Sequence, residues 1–128
     1  MRPCLSSRVR AGCASGARLV SYAAMPPLAA ARVRHAVVFR LVHAPGSPEE
    51  ADFLAAMAAL ERIDGVEAFE LLREVSPKND FAFGVTMEFA DEAAYRAYDA
   101  HPDHVAFVGA RWGSEVADFL EVDTVALD

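Results

Sequence analysis

The stretch Phe81-Ala82-Phe83-Gly84-Val85-Thr86-Met87-Glu88-Phe89 constrains the fold more than any other part of this chain. Large apolar side chains recur at every second position, so an extended backbone puts them all on one side and Ala82, Gly84, Thr86 and Glu88 on the other. A helix would scatter the same residues around its circumference. The segment predicts a strand over Phe81–Phe89 with one face in a core, and therefore a sheet that other elements must cover.

The flanking segments supply those elements. His35-Ala-Val-Val-Phe-Arg-Leu-Val-His43 is β-branched and apolar, runs into Pro45-Gly46, and predicts a first strand. Ser47-Pro48-Glu49-Glu50 is a helix start, with a capping serine, a proline suited to the first helical position and a Ser-x-x-Glu capping box. Phe53, Leu54, Met57, Leu60 and Ile63 then form an apolar stripe, and Gly65 ends the helix. Val66 to Val75 predicts a second strand, followed by the turn residues Ser76-Pro77-Lys78-Asn79-Asp80. Asp91 caps a second helix through about Ala100, Pro102 opens a third through about Trp112, and Val116 to Leu127 predicts the last strand.

The order β-α-β-β-α-α-β implies an α+β, ferredoxin-like protomer with an antiparallel four-stranded sheet and helices on one face. The opposite sheet face is expected to carry the Phe, Val and Met side chains of the third strand, too apolar to leave in water. Two sheets packed face to face would bury them. A symmetric homodimer with a semi-enclosed apolar cavity in each half is therefore expected.

Charge is divided unevenly. Residues 1–34 carry Arg2, Arg8, Arg10, Arg18, Arg32 and Arg34 and no acid, which leaves all 19 acids and only six basic residues to 35–128. A body that acidic repels phosphate backbones and anionic lipid, so nucleic acid and membrane surfaces are excluded as partners. No apolar run approaches the roughly 18 residues of a membrane span. Both cysteines, Cys4 and Cys13, fall in the basic segment, which leaves the body without a disulfide framework or a thiolate metal site. The length suits one domain, at 35–128. Residues 1–34 lack apolar periodicity and read as a disordered or spurious extension upstream of a start at Met25, against the alternatives of a transit peptide or a secretory signal. The expected location is cytoplasmic.

Chemistry concentrates in Tyr98-Asp-Ala-His101-Pro102-Asp103-His104-Val105-Ala106-Phe107. Two histidines, the side chains able to exchange protons near neutral pH, flank a proline that turns the backbone. One account is structural: His101 ends a helix because the residue before proline leaves the helical region, and Pro102 opens the next. The other is catalytic: His104 is a general base in the first turn of that helix, with Tyr98 brought beside it by the turn and His35 projecting from the first strand. His-x-x-His has metal-compatible spacing, but Pro102 interrupts it and no sulfur or carboxylate ligand is evident beside it, so no metal site is expected. No phosphate loop or dinucleotide fingerprint is present, and no cofactor is expected. His43, at the strand end, is expected to be exposed, and Trp112 to pack on the sheet. Phe39, Phe53, Phe81 and Phe107 are candidate walls of a ligand cavity.

From His35 to Asp128 the chain resembles the stress-responsive dimeric A/B-barrel family. The resemblance rests on His35-Ala-Val-Val-Phe-Arg-Leu, Ile63-Asp64-Gly65-Val66, the aromatic third strand ending Glu88-Phe89 and, most specifically, Tyr98-x-x-His101-Pro102-x-His104-Val105. It implies a homodimeric barrel of ferredoxin-like protomers, a stress-response role and a cavity for a small apolar, aromatic or polyketide-like molecule. One branch of that family comprises polyketide cyclases that perform an aldol condensation. There the second histidine of His-Pro-x-His is the base, helped by the preceding tyrosine and a histidine opening the first strand, positions held here by His104, Tyr98 and His35. Enzymatic and purely binding roles both remain open, the enzymatic one being a cofactor-free cyclase or lyase, with a monooxygenase of the same architecture as a further alternative.

Overall fold

The computed structural model describes residues 27–128. The expectation for residues 1–26 lies outside them. Strand β1 spans Val33–Leu41, helix α1 Pro48–Ala58 with a 3₁₀ turn Ala59–Arg62, β2 Glu67–Arg73 and β3 Phe83–Phe89. Helix α2 spans Glu92–Asp99 and α3 Pro102–Phe107, which opens into a wide π turn, Val108–Trp112, and a single turn, Gly113–Glu115, before β4, Val116–Thr124. The sheet order is β2-β3-β1-β4, antiparallel throughout. This is the ferredoxin-like arrangement read from the sequence.

Local chemistry fixes the element ends. Ser47 Oγ accepts the Glu50 N–H at 3.1 Å, and Glu50 reaches back to the Gly46 N–H at 2.9 Å, closing the capping box one residue further out than usual. Gly65, at φ +92°, takes the left-handed turn into β2. The strand β1 begins at Val33, two residues before the expected domain start. Arg32 and Arg34 tie it to β2 and β3 through Glu67 and Glu88.

The direction of the third strand's apolar face corrects one expectation. Register pairs Phe39 with Phe83, Val37 with Val85 and His35 with Met87, and all of these side chains lie beneath the helices. Met87 is 1% exposed and belongs to the protomer's own core, because the stripe of α1 (Phe53, Met57) and Leu60 packs down on it. The open face carries the alternate set: Val38, Gly84 and Leu72, with Leu120 and Val122 of β4 exposed.

Beneath the helices, aromatic side chains gather at the two ends of the sheet. Phe39, Phe53, Phe83, Phe107 and Trp112 pack at one end with ring centroids 5.3–6.0 Å apart between neighbours. Phe89, Tyr95, Tyr98, His35 and His104 form the other group, at 4.5–6.3 Å. Between them lie Val37, Val85, Met57, Leu60 and Met87, which leave space unfilled.

Candidate active site

That space is a cavity of about 260 Å³. Val37, Met57, Leu60, Val85 and Met87 form its apolar wall; His35, Tyr98, His104 and Glu121 form its polar end. The sequence placed His35, Tyr98 and His104 in one site, and they do converge on one cavity. Phe39, Phe53 and Phe107 stand behind the wall in the core and Phe81 precedes β3, so none of the four phenylalanines lines it. Trp112 both packs on Phe39 and reaches the cavity, together with Val108 and Phe119. The π turn supplies two of these side chains, its extra residue per turn re-aiming both.

The break between α2 and α3 organises the polar end. In a continuous helix the Asp103 N–H would bond the Asp99 carbonyl; here it bonds His101 Nδ1 instead, at 3.1 Å, so His101 is the N-cap of α3. The Asp99 carbonyl, left without that donor, accepts from His104 Nδ1 at 3.0 Å. His104 therefore donates from Nδ1 in this arrangement; in the neutral ring that leaves Nε2 as the acceptor, the tautomer a general base requires. Its ring lies 4.5 Å from that of Tyr98.

Tyr98 is 2% exposed, and its hydroxyl has no hydrogen-bond partner among the described residues. Burial, reinforced by the charges of Asp99 and Glu121, pushes this phenol well above its ordinary value and keeps it a donor. His35, also buried, donates from Nδ1 to Asp123 at 2.5 Å, with Glu121 at 3.5 Å. The Tyr95 hydroxyl lies 2.8 Å from Glu121 and 3.1 Å from Asp123, and burial followed by these carboxylates raises its pKa strongly as well.

Sequence reasoning missed Tyr95, Glu121 and Asp123. The alternation of Phe119, Glu121 and Asp123 showed that they share a strand face, but only the pairing of His35 with Asp123 and Val37 with Glu121 shows which one. His43 also departs from expectation: its side chain is 17% exposed and donates to Glu115 at 2.7 Å, because the start of β4 folds back beside the end of β1. Among the described residues no helix is long and apolar enough to cross a membrane.

Comparison with known proteins agrees with this fold. No curated protein matches the chain. A ferredoxin-like protein of the same barrel family from Mesorhizobium loti is 56% identical, with a TM-score of 0.74, over 76% of this chain and 98% of that one. A hydroxynitrile lyase from Passiflora edulis shares the fold at 14% identity, TM-score 0.65, over 76% and 94% of the two chains. A dimeric ferredoxin-like protein of unknown function from Thermobifida fusca does so at 21% identity, TM-score 0.61, over 78% and 95%. The profile of the stress responsive A/B barrel domain matches residues 33–126, nearly all of the described fold, and the chain belongs to that family.

Proposed function

We propose that the cavity binds a small, neutral carbonyl compound and that His104 and Tyr98 move a proton on it, in lyase or cyclase chemistry. The observation that carries this reading is the buried Tyr98 hydroxyl, without a partner among the described residues, on a ring packed beside the imidazole of His104 at the polar end of an otherwise apolar cavity. A buried donor without an acceptor costs about 1–3 kcal/mol, which a ligand oxygen would recover. With that oxygen held by Tyr98, His104 Nε2 is the base for the adjacent proton. Glu121 and Asp99 line the same cavity and, among the described residues, no lysine or arginine does, which disfavours carboxylate and phosphate ligands.

The working form is a homodimer joined through the open sheet face. Leu72, Leu120 and Val122 are 44–55% exposed there, a contiguous apolar surface that a second copy would bury. That the neighbour of the same fold from Thermobifida fusca is dimeric supports a dimer.

Trp112 is the chain's one tryptophan and lines the cavity, so its fluorescence reports occupancy. Cyanohydrins and small β-diketones serve as probes. Saturable quenching with turnover that falls by about 10²–10⁴ in His104→Ala supports the assignment. Turnover at the wild-type rate in His104→Ala refutes it, and saturable binding without turnover of any probe leaves the cavity a binding site only.

A further inference from the structure

We infer that His35, Glu121, Asp123 and Tyr95 form a site for a divalent transition-metal ion at the polar end of the cavity. One nitrogen and two carboxylates converge there, their donor atoms all within 4.8 Å of one another. His35 and Asp123 face each other directly across the β1–β4 pair, and Glu121 is the diagonal neighbour on the same face. Donors on paired strands of a sheet are held more firmly than donors on loops.

The distances suit an ion. Ligands of a tetrahedral centre at about 2.1 Å lie about 3.4 Å apart. His35 Nδ1 is 3.5 Å from Glu121 Oε2 and 2.5 Å from Asp123 Oδ1. An ion would replace the proton that Nδ1 now gives to Asp123, and a shift of that carboxylate oxygen by about 1 Å would open the short contact to ligand spacing. Charge points the same way. Two carboxylates face one imidazole, and no lysine or arginine among the described residues lies within salt-bridge distance of either. Tyr95 is within hydrogen-bond distance of both, yet its hydroxyl has one proton and can serve only one. A cation would satisfy the remaining lone pairs, with Tyr95 orienting a ligating carboxylate from outside, as such partners do around protein metals.

A second observation is independent of the donor set. The unpartnered, buried Tyr98 hydroxyl opens on the same cavity, with its ring 6.3 Å from that of His35. Three protein donors, two of them the part-exposed carboxylates Glu121 and Asp123, with a fourth position left open are the arrangement of an ion that binds a further water or ligand oxygen. One nitrogen with two carboxylate oxygens suits Zn²⁺, Mn²⁺ or Fe²⁺ better than Cu⁺ or an alkali ion. The donor set is independent of whatever chemistry His104 performs, while the Tyr98 hydroxyl is shared with the function proposed above.

The test is titration of chelator-stripped, untagged full-length protein with Co²⁺ and Zn²⁺, by visible absorption and calorimetry. Wild type should bind one ion per chain. The double variant Glu121→Gln/Asp123→Asn should lose that binding with an unchanged circular dichroism spectrum, and His104→Ala should keep it. Tyr95→Phe, which leaves all three ligands in place, should weaken affinity about 10–100-fold. No saturable binding to the wild type, or undiminished binding to the double variant, overturns the site. Should the double variant fail to fold, an unchanged affinity in Tyr95→Phe together with one in Glu121→Gln does so.

Discussion

Replacement of His104 separates its hydrogen bond at the helix break from the catalytic role proposed for it, because the two fall on different ring nitrogens. His104→Ala removes the hydrogen bond to the Asp99 carbonyl, worth about 1 kcal/mol. It also removes the ring packed 4.5 Å from Tyr98, worth about 0.5–1.5 kcal/mol more. A loss of about 2 kcal/mol lowers Tm by roughly 8–16 °C in a domain of this size. His104→Asn is the informative control. Its amide nitrogen occupies the place of Nδ1 and can still donate to the Asp99 carbonyl, while nothing occupies the place of Nε2. The asparagine variant should therefore recover about 1 kcal/mol, roughly 4–8 °C, over alanine, and should be as inactive. Thermal unfolding followed by circular dichroism at one fixed protein concentration measures both shifts, since dimerisation would otherwise move them. If asparagine is no more stable than alanine, the carbonyl bond does not organise the helix break. If asparagine retains wild-type turnover, Nε2 is not the base.

Tyr98→Phe removes a buried hydroxyl that has no partner in the described protein, so it should leave Tm unchanged or raise it by several degrees while cutting turnover; a clear fall in Tm would mean the hydroxyl has a partner. Leu120→Asp, on the open face, should convert dimer to folded monomer in sedimentation, whereas Met87→Lys should unfold the protomer; a folded Met87→Lys monomer would reverse the assignment of faces. Glu115 is held below the ordinary carboxylate range by Arg111 first and His43 second. A depressed folded pKa contributes stability that is present above about pH 4.5 and lost as pH falls through the lowered value, so the stability gap between wild type and Arg111→Leu should narrow below pH 4.5; a gap independent of pH would refute the coupling.

The order of elements was legible because each boundary has its own chemistry: Ser47, Asp91 and Pro102 open helices wherever they sit. The site was legible as far as its residues lie on elements whose order fixes their place. Tyr98 and His104 straddle one proline, and the family resemblance linked His35 to them. What was not legible depends on register. Which face of Phe83–Phe89 meets the helices is undetermined by a period of two, since both faces alternate equally well. The His35–Asp123 contact spans 88 residues and exists only through the β1–β4 pairing. The fate of Phe39, Phe53 and Phe107 turns on packing detail, because an aromatic that lines a cavity and one that backs its wall look identical in a sequence.

Strand β1 is a partition one residue thick. His35 and Val37 look into the cavity, while Ala36 and Val38, on the same length of backbone, look out from the open face. Whatever lies against one side therefore presses on a shared wall, and a shift of that backbone to fit a guest is felt at once by a neighbour across it. In thermodynamic terms, two occupancies coupled through that wall would be linked, and linkage is reciprocal. A guest that tightens association must itself be held more tightly by associated subunits, by the same factor, so protein concentration would tune affinity for the guest without any dedicated regulatory site.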